Sequence, residues 1–399
     1  MGQGALEGLR VVDFSRVLAG PWATQILADL GADVIKVERP EQGDETRQWG
    51  PPFVGGESAY FLAANRGKRS LTLNLKAPEG QELARRLVQR ADVLVENFKP
   101  GDLARYGLDW ESVRELNPRL IYCSITGFGS HGPRAHEAGY DFAIQAMSGI
   151  MAVTGEPEGE PMKVGVAWVD ILTGLYAAVG ILAALQERQR SGRGQRIDLS
   201  LFDVAVAAMA NVGQAWLVTG KSPARLGNAH PQIVPYQLFQ AADGYVVVAV
   251  GNDQQFRRLC QALGGEAAAL ADDPRFATNQ ERVRNRAALV QRLQALIATR
   301  PVTYWVQTLH AHGVPVAPVR HVGEALADPQ ASARRLLWQV IHPTAGPLRL
   351  LASPLQHMDG TPAVPRGAPP RLGEHTDTIL AELGLEPDAI RRLREAGVV

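Results

Sequence analysis

Cysteine is nearly absent: Cys123 and Cys260 are the only two in 399 residues, they stand far apart, and neither belongs to a Cys-x-x-Cys or Cys/His spacing. A disulfide framework and a zinc site are therefore not expected, and a reducing compartment, the cytoplasm, is the expected location. Net charge is absent too. Lys plus Arg and Asp plus Glu each total 41, so no global field draws nucleic acid or an anionic membrane to the chain. Any anionic ligand must be met by a local cluster of basic side chains. No uninterrupted apolar run is long enough for a bilayer: Ile171 to Leu185 is broken by Thr173, Gly174, Tyr176 and Gly180 and falls short of the roughly 20 residues a span needs. It is expected to be a buried core helix. The opening Met1-Gly-Gln-Gly-Ala-Leu-Glu-Gly has no basic region followed by an apolar stretch, and Leu6 stands where a myristoylation signal needs Ser or Thr, so neither secretion nor lipid anchoring is expected.

What is present is an ordinary globular composition, 46% hydrophobic and 21% charged, long enough for two or three domains' worth of core. Short buried strands are predicted at 9–14 and 33–38, separated by a helix from Trp22 to Leu30 that stops at Gly31. A helix from Glu79 to Arg90, a strand from Asp92 to Asn97, short helices over 101–116 and a strand from Leu120 to Thr126 continue the alternation. This pattern predicts a doubly wound α/β domain with a parallel sheet. Beyond the long helix from about Asp170 to Gln189 come a turn, a strand from Arg196 to Ser200 and an apolar helix from Leu201 to Val218. Residues 222–237 are rich in Pro, Asn, Gly and His without periodicity and read as a linker. A smaller mixed domain is predicted over 238–320, followed by a second linker over 321–335, a pair of strands within 336–352 and two closing helices.

Gly127-Phe-Gly-Ser-His-Gly132 has the spacing of a dinucleotide fingerprint after a strand. Pro133, Arg134, His136 and Gly139 intervene before the next helical pattern, so a turn-rich strand end is expected instead of a phosphate loop. Asp170 stands where a strand-like segment meets the long helix, a place where an Asp usually serves as the N-cap. A carboxylate held ionised by free backbone N–H groups there can also act as a nucleophile toward a thioester.

Long ordered motifs extend over essentially the whole chain: Arg16-Val-Leu-Ala-Gly-Pro, Gly31-Ala-Asp-Val-Ile-Lys-Val-Glu-Arg-Pro, Asn65-Arg-Gly-Lys-Arg-Ser, Val95-Glu-Asn-Phe, Ser124-Ile-Thr-Gly-Phe-Gly, Gly139-Tyr-Asp, Val169-Asp-Ile-Leu-Thr-Gly, Gly227-Asn-Ala-His-Pro-Gln and Asp273-Pro-Arg-Phe-Ala-Thr-Asn. In these the sequence resembles the class III CoA-transferases, the family of formyl-CoA transferase and the carnitine and bile-acid enzymes, and most of all its dicarboxylate branch, the succinate-hydroxymethylglutarate enzymes. The resemblance implies a large Rossmann-like domain built from both chain ends, 1–221 and 336–399, a smaller α+β domain, and an interlocked homodimer. It implies an enzyme that moves CoA from an acyl-CoA, with succinyl-CoA the expected donor, to a short dicarboxylic acid. Asp170 matches the family's nucleophile, and no cofactor or metal is implied beyond coenzyme A as substrate.

Val17, Ala19, Arg39, Leu73, Asn74, Leu75, Lys76, Asn97, Phe98, Lys99 and Arg105 match positions that line the family's CoA site. Tyr140 and Asp141 match a pair beside the nucleophile, and the family's glycine loop, a source of oxyanion donors, falls at Gly251-Asn-Asp. The related acyl-CoA racemases carry a proton-transferring His where this chain has Tyr140, so transfer is favoured over racemisation. Leu18 stands where formyl-CoA transferase has Gln, which argues against a formyl or oxalyl substrate. For the remote carboxylate of a dicarboxylic acid, Arg47 and His230 are the candidate cations.

Overall fold

The computed structural model describes residues 4–399; Met1, Gly2 and Gln3, part of the segment read above for targeting signals, lie outside them. The chain divides into two compact units. The first comprises the residues up to Ile150 together with Lys163–Thr219 and Pro329–Val399, and the second comprises Met151–Met162 and Gly220–Asp328.

The first unit is organised by a six-stranded parallel sheet of β1 (Arg10–Asp13), β2 (Asp33–Glu38), β3 (Lys68–Thr72), β4 (Val93–Glu96), β5 (Ile121–Thr126) and β6 (Arg196–Ser200). The spatial order is β3-β2-β1-β4-β5-β6, the doubly wound order whose direction reverses between β1 and β4. Neighbouring residues of β1 serve opposite faces. Val12 packs with Ile35, Leu71, Leu87 and the C-terminal Ile379, Leu380 and Val398, whereas Val11 packs with Ala23, Leu27, Val34, Val93 and Ile181. A sheet covered on both faces needs apolar residues at every position, which is why these strands read as runs and not as alternations.

Three helices shape the crevice. Helix α1 (Ala19–Asp29) starts three residues earlier than predicted and ends before Gly31, whose φ of +113° suits glycine. Helix α2 (Asp141–Met147) begins at Asp141. Helix α3 (Trp168–Ser191) has 24 residues, longer than the apolar run from which it was predicted and long enough to span a bilayer. One of its faces is core, with Val169, Thr173, Gly174, Ala177, Ala178 and Ile181 buried. Gly174 lets α1 approach closely, since a Cβ there would lie 2.7 Å from the Ala19 carbonyl oxygen.

Three sequence expectations need correction. Helix 201–218 is two helices, Leu201–Ala208 and Ala210–Thr219, separated by Met209, with Ala210 at the start of the second at a φ of +41°. The stretch 321–335 contains the short helices Val322–Leu326 and Pro329–Ala333, and the loop 222–237 ends in the strand Tyr236–Gln240. The second unit has a three-stranded sheet in which Tyr245–Ala249 lies between Tyr236–Gln240 and Val316–Pro318. Phe239, Phe256, Phe276, Leu289, Leu293 and Leu309 fill its core.

Candidate active site

The loop that leaves β1 is pinned at nearly every backbone group. Asp13 Oδ1 accepts the Ser15 N–H at 2.9 Å, and Lys36 Nζ donates to the Ser15 carbonyl at 2.9 Å. Asn97, just after β4, accepts from Arg16 N at 3.0 Å and donates to Arg16 O at 2.7 Å. Asp44 Oδ1 accepts from Val17 N at 3.3 Å. Val17 itself has a φ of +69°, a left-handed conformation that a β-branched residue adopts only when its surroundings impose it.

The imposing charges are buried. Lys36 pairs with Asp44 at 2.9 Å and Lys68 with Asp13 at 3.1 Å, all four side chains fully buried. For Asp44, burial acts upward but is outweighed by Lys36 and by bonds from Thr46, leaving its pKa at about 2. Burial is the largest influence on Lys68 and brings it down to about 8, although Asp13 opposes the shift.

Asp170 occupies the third position of α3, so it is not the N-cap that the sequence suggested; Ala167 is, and it offers no side-chain cap. Asp141 takes over the task from α2. Its Oδ2 accepts from Val169 N at 2.8 Å and Asp170 N at 3.2 Å, while its Oδ1 accepts from Gln145 Nε2 at 2.6 Å. Gln145 Oε1 in turn accepts from Val164 N at 2.9 Å. The Asp170 carboxylate is thereby free of structural duty. Buried to 9% exposure, it has its pKa raised to about 7, by burial first and by the Asp141 charge second. The expectation that the helix terminus holds it ionised is corrected: at this site desolvation and a like charge prevail over the dipole.

Asp170 opens onto a cavity of about 240 Å³ lined by the loop after β1 (Arg16, Val17, Leu18, Ala19), the loop after β4 (Asn97 to Pro100), Thr126, Gly127 and Tyr140. The cavity lies at the carboxyl ends of the strands where the sheet order reverses, the usual ligand crevice of such sheets. A second cavity of about 200 Å³ collects Arg39, Leu73, Asn74, Leu75, Lys76, Tyr106 and Phe98. Arg16 and Phe98 line both. Of the residues chosen for CoA and for the nucleophile's surroundings, Val17, Ala19, Asn97, Phe98, Lys99 and Tyr140 lie on the first cavity and Arg39 and Leu73 to Lys76 on the second. Arg105 lines neither and is exposed, paired with Asp102 on the rim.

Arg47, one candidate cation for the remote carboxylate, lines neither cavity. Arg47 is committed to the scaffold: Nε and Nη2 grip Glu38 at 2.7 and 2.8 Å, Nη1 reaches Glu57 at 3.1 Å, and the guanidinium covers the Phe61 ring at 3.7 Å. With a fourth bond from Nη2 to the Pro370 carbonyl at 3.1 Å, the guanidinium has little left for a substrate. His230, in the second unit, accepts the Gln232 N–H at Nδ1, and Arg286 donates to its carbonyl at 2.8 Å. In the same unit the Gly251 N–H is taken by Gln255 Oε1 at 2.7 Å. The glycine fingerprint is a turn, with Gly129 and Gly132 at φ of +85° and +93° ahead of α2.

Two residues were missed. Tyr60 has its hydroxyl pKa pushed up to about 12, by burial first and then by the charges of Asp170, Asp141 and Asp44; its ring meets Trp49 edge-on at 5.1 Å. Arg16 sits inside a motif whose following residues, Val17 and Ala19, were selected, and that adjacency was the available signal.

Comparison with known proteins agrees over the full length. The model of CoA-transferase family III matches residues 6–376. A succinate–glutarate CoA-transferase of Agrobacterium fabrum is 51% identical over 388 residues, 95% of either chain. The succinyl-CoA:glutarate CoA-transferase of Homo sapiens is 42% identical over 395 residues, covering 99% of this chain and 90% of that one. The crystal structure of a CAIB/BAIF family protein from Brucella suis is 50% identical, with a TM-score of 0.86 over 96% of this chain and 100% of that one. A strained, charge-pinned loop and an unbonded carboxylate at the switch point are thus features of an enzyme that belongs to CoA-transferase family III.

Proposed function

We propose that the enzyme transfers CoA from succinyl-CoA to a short dicarboxylic acid, glutarate foremost, through covalent intermediates on Asp170. The observation that carries this reading is the Asp170 carboxylate, buried, relieved of capping by Asp141, and facing a cavity at the sheet's switch point. Relatives named for succinyl-CoA with glutarate, mesaconate and citramalate supply the substrate class.

The ionised carboxylate attacks the thioester carbonyl, forming a mixed anhydride and releasing CoA thiolate. That thiolate attacks the aspartyl carbonyl, which expels the donor acid and leaves an aspartyl-CoA thioester. The acceptor carboxylate attacks this thioester to give a second anhydride and thiolate. Attack of the thiolate on the acceptor's acyl carbonyl then yields the new acyl-CoA and restores Asp170. Each step exchanges one activated acyl bond for another, so neither ATP nor a metal is required by the chemistry. The basic side chains of Arg39 and Lys76 suit the phosphates of CoA, and Phe98 and Leu75 its apolar arm.

A homodimer is part of the same proposal. Leu175, Tyr176 and Val179 on α3 and Trp216, Leu217 and Val218 on the helix Ala210–Thr219 are 43–75% exposed, an apolar area of the kind subunit contacts cover. Incubation with succinyl-CoA and a panel of carboxylic acids, with CoA esters resolved by mass spectrometry, tests the activity. New esters that disappear in Asp170→Ala support it; absence of exchange with every acid overturns it.

A further inference from the structure

With Arg47 committed to Glu38 and Glu57, the remote carboxylate needs another cation, and the cavity itself supplies candidates. Two cations line it, Arg16 and Lys99. Lys99 is exposed and solvated. Arg16 is half-buried, its backbone clamped on both sides by Asn97, and its guanidinium lies 5.2 Å from the centre of the Phe98 ring.

The guanidinium is poorly satisfied. It touches Glu45 through one nitrogen, Nη1 to Oε1 at 2.6 Å, while Arg16 Nε and Glu45 Oε2 are both buried without a partner among the described residues. A bidentate arginine–carboxylate pair would use two nitrogens and both oxygens. Leaving one buried charged atom unsatisfied on each side is costly, so the resting pair is one that a better carboxylate can displace.

We propose that Arg16 is the specificity residue for the remote carboxylate of the dicarboxylic acid, and that Glu45 is a built-in stand-in which holds Arg16 until the acid replaces it. This rests on the transfer reading above. On binding, the guanidinium turns its two-nitrogen edge from Glu45 to the substrate, while the Asn97 clamp keeps its backbone fixed relative to the loop that bears Val17. The ring of Phe98 supports the guanidinium face and leaves its edge for the hydrogen bonds. No bond is made or broken covalently.

The test compares glutarate with pentanoate, which replaces the remote carboxylate by a methyl group, as acceptors for the same donor, so that donor terms cancel in the ratio of their kcat/KM values. Arg16→Gln and Arg16→Lys are expected to lower that ratio by roughly 100-fold and 10-fold, in line with the loss of a paired charge. Glu45→Gln is expected to lower the KM for glutarate several-fold without a matching change for pentanoate. The Kd of free CoA, measured by calorimetry, should move less than twofold in Arg16→Lys. A ratio unchanged in Arg16→Gln, or a loss equal for both acids with weakened CoA binding, would overturn the inference and assign Arg16 to CoA. Glu45→Gln weakening glutarate as much as Arg16→Gln would remove the stand-in role. Wild-type enzyme that transfers CoA to no acid would defeat the transfer reading itself, an outcome separate from these.

Discussion

At the end of β1 the buried carboxylates of Asp13 and Asp44 each face an ammonium group at about hydrogen-bond distance, whereas Asp170, also buried, makes no ion pair among the described residues. The first pair holds a backbone; the second group is left able to react. Charge buried with its partner fixes geometry, and breaking such a pair strands the remaining ion. Charge buried alone does the opposite, raising a carboxylate's pKa into the neutral range and its readiness to form an acyl bond. The loop and the proposed nucleophile therefore divide between them what one well-paired residue could not do alone.

The largest effect should come from removing the unpaired group. Asp170→Ala is expected to lower kcat by at least about 10³-fold, the scale for loss of a covalent nucleophile. Next, stranding one half of a paired group by Lys36→Met should cost about 3–5 kcal/mol in urea unfolding. It should also disorder the Val17 loop, seen as a higher KM for acyl-CoA.

The pH dependence of stability at Asp170 gives a third contrast. Because the folded pKa of Asp170 is about 7 against an ordinary value of 3.8, the folded state holds a proton that the unfolded chain releases as pH rises. Stability is accordingly unaffected near pH 4, falls between about pH 4 and 7, and levels off with a loss of up to about 4 kcal/mol. Asp170→Asn should recover that amount at pH 8 and almost none at pH 4, read from parallel denaturation curves. Catalysis has the opposite sign, since the carboxylate must be ionised, so kcat should decline below about pH 7. Asp141→Asn keeps an acceptor oxygen for the α3 amides but removes the like charge, and it should move that acid limb to lower pH. The smallest effect is expected from Gly174→Ala, where the new methyl meets the Ala19 carbonyl. A destabilisation of about 1–3 kcal/mol is typical of such overpacking, with activity falling alongside as α1 shifts.

Much of the sheet was readable because a doubly covered sheet leaves its imprint as apolar runs. Strand β3 was not. Its Lys68-Arg-Ser-Leu-Thr is polar because Lys68 and Ser70 point into the buried charge network, where Ser70 Oγ meets Glu38 at 2.7 Å. A strand that carries such residues looks like a surface turn. The break at Ala210 was equally silent, since apolar composition continues across it.

Asp170 and the residues along the β1 and β4 loops could be singled out through their motifs, and the fold brings them to one cavity. The division of labour between Asp141 and Asp170 was not legible, because a cap supplied from 29 residues away leaves no local spacing to read. The engagement of Arg47 was not legible for a related reason. Its partners, Glu38, Glu57 and the Pro370 carbonyl, are assembled only by the fold.

The interrupted layout of the first unit also has a consequence for biosynthesis. Its sixth strand is complete at Ser200, yet the helices Thr376–Glu382 and Pro387–Glu395, which cover Leu83 and Leu87 on one face of the sheet, are encoded far downstream. At a ribosomal rate of roughly 5–20 residues per second, that face waits on the order of 10–35 s for its cover. Meanwhile the whole stretch Gly220–Asp328 of the other unit emerges. The nascent chain thus carries an open hydrophobic surface through about half of its synthesis, and its yield in a cell should depend on holdase chaperones more than its finished stability would suggest.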